Sequence, residues 1–108
     1  MPNSHYSYRV TWSPEDREYV ATCAEFPSLS WLEGDEVEAI RGIRALVTET
    51  IEDMRANGEV VPPPLADRDY SGKFVVRTTP DLHRRLSIEA AEARVSLNRY
   101  VNSKLAAP

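Results

Sequence analysis

Three consecutive prolines, Pro62-Pro63-Pro64, constrain this chain more than any other feature. They remove three backbone N–H donors and favour an extended polyproline II path, so they end a helix and act as a stiff spacer. The spacer, residues 60–69, divides the 108 residues into two parts, 1–69 and 70–108. Parts this small bury little apolar surface alone, which directs both toward association.

The charge changes sign across the same boundary. The whole chain carries a net −4, which by itself argues against nucleic acid. Residues 1–69, however, hold 6 Lys+Arg against 14 Asp+Glu, a net −8, and residues 70–108 hold 7 against 3, a net +4. An acidic part joined to a basic part suggests two partners, a basic protein for the first and a polyanion for the second. The single cysteine, Cys23, cannot close an internal disulfide and reads as a small buried strand residue. His5 and His83 lie far apart and give no zinc-ligand spacing, so neither a metal nor another cofactor is expected. No apolar run approaches the roughly 20 residues of a membrane span, and Met1 to Trp12 has no secretory apolar core. A cytoplasmic location with no membrane partner is the expectation.

Before the prolines the order is strand, strand, helix, an α+β pattern. Tyr6, Tyr8, Val10 and Trp12 alternate with Ser7, Arg9 and Thr11, as in a half-buried strand. Ser13-Pro14-Glu15-Asp16 has turn chemistry, and Tyr19 to Cys23 gives the second strand of a hairpin. Glu25 to Leu32 reads as a loop or irregular strand. Asp35 is placed to cap a helix whose apolar stripe is Val37, Ile40, Ile43, Val47, Ile51 and Met54, ending at Asn57-Gly58. Trp12 and Trp31 read as core.

After the prolines, Lys73 to Thr78 is β-branched and aromatic and reads as one short strand. Thr79-Pro80-Asp81 opens a helix with the stripe Leu82, Leu86, Ala90 and Ala93. Ser96 caps a last helix bearing Leu97, Tyr100, Val101 and Leu105 on one face. A lone strand leaves both edges open, so the economical solution is a homodimer, or a higher even oligomer, in which two copies pair antiparallel. With Phe74, Val76 and Thr78 inward, Lys73, Val75 and Arg77 face out and can reach base edges in a DNA major groove. The N-terminus of the last helix, Ser96-Leu97-Asn98, offers backbone N–H groups to a phosphate.

Strand, "RTTPDLHRRL", "AAEARVSLNRYV" and a terminal leucine over residues 72–105 closely resemble ribbon-helix-helix DNA-binding proteins of the Arc and MetJ kind. The resemblance assigns base contacts to Lys73, Val75 and Arg77 and phosphate contacts to Ser96, Leu97 and Asn98. Two residues depart from the pattern: Arg94 replaces the usual helix-ending glycine, and Val75 replaces a common polar base reader. With "YRVTWSPEDREYVATCAEFPSLS", "GDEVEAIRGI" and the proline run, residues 6–105 resemble the HicB family of antitoxins. That resemblance implies a partial RNase H-like domain over 1–69 that masks a small basic ribonuclease toxin. It also implies a ribbon-helix-helix domain over 70–108 that represses the shared operon by binding operator DNA. The alternatives are a stand-alone regulator whose first domain oligomerises or senses a ligand, and a degenerate nuclease. No enzymatic role is expected, because metal-dependent nuclease chemistry needs converging carboxylates and Tyr19 to Cys23 carries none. Glu25, Asp35, Glu36 and Glu38 sit in a loop and a helix start, where capping accounts for them. His83, between Leu82 and Arg84-Arg85 in the first turn of a helix, reads as a surface or phosphate-proximal residue.

Overall fold

A computed structural model describes residues 2–108 and shows a mixed α+β chain, a three-stranded antiparallel sheet followed by helices. It separates into two compact units, one extending to Tyr70 and the other spanning Ser71–Pro108.

In the first unit, β1 (Tyr8–Ser13), β2 (Glu18–Cys23) and β3 (Ser30–Glu33) lie in the order β1-β2-β3. The expected loop or irregular strand thus ends in a regular third strand, paired through Ala21↔Trp31 and Tyr19↔Glu33. The β1–β2 turn closes when the Arg17 N–H donates to the Ser13 carbonyl at 2.9 Å and the Asp16 N–H to Ser13 Oγ at 3.3 Å. Strand alternation places Tyr8, Val10 and Trp12 opposite Cys23, Ala21 and Tyr19, all on one face.

Helix α1 (Glu36–Ala56) covers that face, mainly over β2 and β3. Asp35 caps it, its carboxylate accepting from the Glu38 N–H at 3.0 Å. The buried row is Ala39, Ile43, Val47 and Ile51, which meets Ala21, Cys23, Tyr6 and Phe26. This corrects the stripe expected from Val37: that residue is 54% exposed, and Ile40 and Met54 pack only at the margin of the core. A run of i+4 positions beginning at Ala39 keeps a methyl at the first contact, so the helix start can approach the sheet closely. At its far end, Gly58 takes φ +69°, and the Glu59 and Gly58 N–H groups bond back to Met54 and Arg55 in a Schellman motif.

The tryptophans depart from the core expectation: Trp12 is 51% and Trp31 38% exposed. Trp12 lies on the helix-side face of β1, the strand α1 covers least. Trp31 lies against Gly42, where any Cβ would collide with the indole ring. That collision explains a glycine inside a helix, at a cost of about 1 kcal/mol in propensity.

The proline segment is no free spacer. Val61 packs on the core, and Tyr6 donates its hydroxyl to the Pro62 carbonyl at 2.7 Å. The Glu25 carboxylate accepts from the Leu65 N–H at 2.8 Å, the Ser7 N–H at 2.9 Å and Ser7 Oγ at 3.1 Å. His5 Nδ1 reaches Asp67 at 2.9 Å. The prolines offer no ladder donors, and the backbone groups left in the segment, the Pro62 carbonyl and the Leu65 N–H, are satisfied by side chains that flank the strands, Tyr6 and Glu25.

In the second unit, α2 (Pro80–Glu92) and α3 (Leu97–Ala106) pack together. Thr79 Oγ1 caps α2 through the Leu82 N–H at 3.2 Å, and Ser96 Oγ caps α3 through the Arg99 N–H at 3.0 Å. Tyr100 donates its hydroxyl to Glu89 at 2.6 Å, which joins the two helices. Ala90 is the buried side chain here, and Ala93, expected on the apolar stripe, is exposed at the helix end. The strand expected at residues 73–78 is not formed: 71–79 carry no regular structure. A strand is defined by its ladder, and among the described residues of this unit no strand is present to bond it.

Candidate nucleic-acid interface

The expected base readers and phosphate contacts all lie in the second unit. Lys73, Val75 and Arg77 are exposed on the segment before α2, with Val75 at 82%. Phe74 and Val76, expected to point into a core, are 77% and 70% exposed. The alternation of inward and outward residues is therefore not expressed in the single chain. Its inner face would have to be covered by something outside it.

The remaining geometry shows where such a cover would lie. Leu82 and Leu86 of α2 and Leu97, Val101 and Leu105 of α3 line an open groove of about 700 Å³. Val76, Arg77, Pro80 and His83 also line it. Leu105 is 66% exposed, as expected of an apolar side chain facing an unfilled groove.

The polar residues around this groove fall into two sets. Arg84 pairs with Asp81 at 3.1 Å and Arg85 with Glu89 at 3.5 Å along α2. Lys73, Arg77 and Arg99 enter no ion pair among the described residues, which leaves their charge available to a polyanion. Ser96 uses its hydroxyl on the Arg99 N–H, so the backbone N–H groups of Leu97 and Asn98 remain at the positive end of α3. Hydrogen bonding to Glu89 holds the Tyr100 phenol above its ordinary range, ahead of the effect of burial. Tyr100 thus remains a neutral donor between α2 and α3.

The α2–α3 turn contains the residue that replaces the usual glycine. Arg94 takes φ +59°, in the left-handed region. The Val95 N–H bonds to the Ala90 carbonyl at 3.1 Å and the Arg94 N–H to Ala91 at 3.1 Å, again a Schellman motif. The backbone thus adopts the glycine geometry with an arginine.

Residues 57–105 match the HicB family. The match spans the proline segment and the helical unit as far as Leu105, and it supports membership of that family. No curated protein and no solved structure matches the chain. The HicB match points to a toxin–antitoxin-related function.

In the acidic unit, Glu25 does not cap a helix but holds Ser7 and Leu65, whereas the carboxylates from Glu33 to Glu38 act locally. Asp35 caps α1, Glu38 accepts from Arg41 at 3.2 Å, and Glu33 accepts from the Trp31 indole at 3.2 Å. Among the described residues no group of three or more His, Cys, Asp or Glu could hold a metal ion. Cys23 is buried on β2, and burial pushes its thiol up. No helix among the described residues is long and apolar enough to cross a membrane. Two features escaped the sequence: the Glu25 clamp on the linker, whose partners are 18 and 40 residues away, and the groove, which needs both helices docked. The first had no local signal, whereas the stripes of α2 and α3 carried the second.

Proposed function

We propose that this chain is an antitoxin of the HicAB-like kind. Its second unit dimerises as a ribbon-helix-helix domain, binds operator DNA and represses its own operon. Its acidic first unit neutralises a small basic toxin. The observation that carries the DNA-binding half is the open groove that Val76 helps to line, together with the exposed Phe74 and Val75 that precede it in the chain. One added copy would supply both missing things, an antiparallel partner for residues 73–78 and a cover for the groove. In that pairing Lys73, Val75 and Arg77 come together from both copies on one two-stranded ribbon. Arginine and lysine then donate to guanine edges and valine meets a thymine methyl. The N–H groups of Leu97 and Asn98 behind Ser96 anchor the flanking phosphates.

The test is a binding titration of the full chain against the duplex upstream of its own gene and a scrambled duplex, at several salt concentrations. Arg77→Ala should weaken the cognate duplex selectively, since a bidentate arginine–guanine contact is worth about 1–3 kcal/mol of discrimination. Ser96→Ala should weaken both duplexes alike. Equal weakening of both duplexes by a folded Arg77→Ala would reduce Arg77 to a phosphate contact and remove the strand readout. A wild-type chain that remains a monomer at micromolar concentration in light scattering would remove its structural basis.

A further inference from the structure

The sheet order leaves β1 as an outer strand, and its hydrogen-bond phase shows which of its backbone groups face the open side. The Ala24 N–H donates to the Ser7 carbonyl at 2.9 Å, so Ser7 and Ala24 extend the β1–β2 register as a hydrogen-bonded pair. Bonded and non-bonded pairs alternate along an antiparallel ladder. Arg9, Thr11 and Ser13 therefore bond to β2, and Val10 and Trp12 turn their N–H and C=O groups outward. Among the described residues no backbone hydrogen bond reaches those groups from another segment. The proline segment meets this side of the sheet only before β1 begins, through Tyr6 and through the Glu25 bonds to Ser7 and Leu65.

Nothing in β1 blunts that edge. Proteins protect open edges by shortness, bulges, proline or several charges. β1 runs six residues with no bulge and no proline, and Arg9 is its one charge. β3, the other outer strand, has four residues and is covered by α1. The open end of β1 also carries Trp12, which packs edge-on against Tyr19, centroids 5.0 Å apart, and leaves half its surface in solvent.

We propose that β1 pairs antiparallel with β1 of a second copy, about a two-fold axis at Thr11. Backbone phase and charge select this register. Val10 of each copy bonds Trp12 of the other, which uses every outward group of both residues, and Thr11 faces its own equivalent as a non-bonded pair. On the face away from α1, Arg9 of one copy then stands opposite Ser13 of the other. Ser13 lies beside two carboxylates: its hydroxyl donates to Asp16 at 2.9 Å, and its partner on β2 is Glu18. Arg9 enters no ion pair among the described residues. Each copy thus supplies a cation to the other's acidic turn, twice by symmetry. Moving the axis to Val10 keeps the phase but sets Arg9 against Thr11, away from the carboxylates. On the helix-side face, Trp12 lies opposite Val10 and diagonal to Tyr8 of the second copy, within reach of an aromatic side chain. The edge is self-complementary in hydrogen bonding and in charge, which identifies its occupant as a second copy. This contact is separate from the pairing of residues 73–78, so the chain carries one self-association surface in each unit.

The experiment is disulfide trapping in the full chain. In a non-bonded antiparallel pair the Cα atoms are about 4.5 Å apart, within the span of a disulfide. Thr11 is exposed, so Thr11→Cys keeps the fold, and mild oxidation with diamide should give a linked dimer on a non-reducing gel. Thr22→Cys, on the same face of the central strand, should give about tenfold less, because no second copy can bring its Cα within that span. The wild type, whose Cys23 is buried, should give none. Arg9→Glu added to Thr11→Cys should lower the yield about tenfold by setting like charges together, and Asp16→Arg added in turn should restore it. Val10→Pro removes an outward N–H without touching the β1–β2 ladder and should lower the yield as well, with thermal melts checking that each variant folds. A folded Thr11→Cys chain that cross-links no more than Thr22→Cys overturns the proposal, and an edge reserved for a strand of another protein would give that result. Cross-linking that persists unchanged through both Arg9→Glu and Val10→Pro is random collision and overturns it equally.

Discussion

The two units differ in how completely each finishes its own core. In the first, Ala21, Ala39, Ile43 and Val47 are 0% exposed, and the sheet, α1 and the docked proline segment enclose them. In the second, Ala90 at 3% is the buried hydrophobic residue, while Phe74, Val75, Val76, Ile88 and Leu105 are all more than half exposed. The capping is equally good in both: Asp35, Thr79 and Ser96 each hold the backbone N–H three residues on. Local signals thus specify helices in either unit, but only the first contains enough sequence to bury what those helices present. Burial scales with chain length, and the 38 residues of Ser71–Pro108 fall below the size at which a domain folds readily without help.

That contrast is broken most sharply by placing one disruption in each unit. Ile43→Ala removes buried methylenes from a closed core and should cost about 2–5 kcal/mol, independent of protein concentration. Phe74→Asp alters a residue 77% exposed in the single chain, where such a change is worth under about 0.5 kcal/mol. If the groove and ribbon are covered by a second copy, the same change buries an unpaired charge and should cost about 3–5 kcal/mol of dimer stability. Denaturant titrations at two protein concentrations, with light scattering, separate the cases. A Phe74→Asp chain with unchanged oligomeric state and midpoint would show that the second unit is complete as it stands.

The same contrast explains what was legible in the sequence. Caps, turn residues and helical stripes act within a few positions, so α1, α2, α3 and the β1–β2 hairpin could all be read directly. The α1 burial row was legible at Ile43, Val47 and Ile51 and missed at its start, because alanine at 39 looks weaker than valine at 37 in a pattern of hydrophobicity. Trp12 was misplaced because size suggests burial, while α1 lies mainly over β2 and β3 and leaves the β1 edge of the sheet less covered. Residues 73–78 look like a strand by composition, yet pairing is a property of two segments and the described residues of the second unit offer only this one. The unpaired cations Lys73 and Arg77 could be named in advance, but their presentation on a ribbon depends on that second segment.

A smaller effect sharpens the account of how the first unit closes over the linker. Partial burial pushes the Glu25 carboxyl up, but hydrogen bonds from the Leu65 and Ser7 N–H groups and the Ser7 hydroxyl outweigh it and hold the pKa below the ordinary range. A depressed folded-state pKa contributes stability that is complete above the unfolded value, about 4.3, and is lost as pH falls through the folded value. Glu25→Gln keeps one acceptor and loses the charge, so it should cost about 1–2 kcal/mol at pH 7. The cost should shrink on acidification below about pH 4. Denaturant midpoints of both chains between pH 7 and pH 3 measure this. A constant gap between them would mean that the Glu25 charge does not hold Leu65 and Ser7.

The smallest expected effect isolates one backbone position common to both units. Helices α1 and α2 end in the same Schellman motif, but the left-handed residue is Gly58 in one and Arg94 in the other, with φ +69° and +59°. A side chain at that geometry meets the following carbonyl at a cost of about 1–2 kcal/mol, partly offset because glycine loses more entropy on folding. Arg94→Gly should therefore stabilise the second unit by about 1 kcal/mol, while Gly58→Arg should destabilise the first by a similar amount. The turn also places Arg94 two residues before Ser96, so removing its charge tests a second property at once. If Arg94 serves only the turn, Arg94→Gly raises the thermal midpoint and leaves the salt dependence of duplex binding unchanged. If its charge also meets a flanking phosphate, the midpoint still rises, but the salt slope falls by about one for each copy in contact. A midpoint that drops instead would mean that the arginine side chain contributes more to packing than its backbone strain costs, and that the two helix ends are not equivalent.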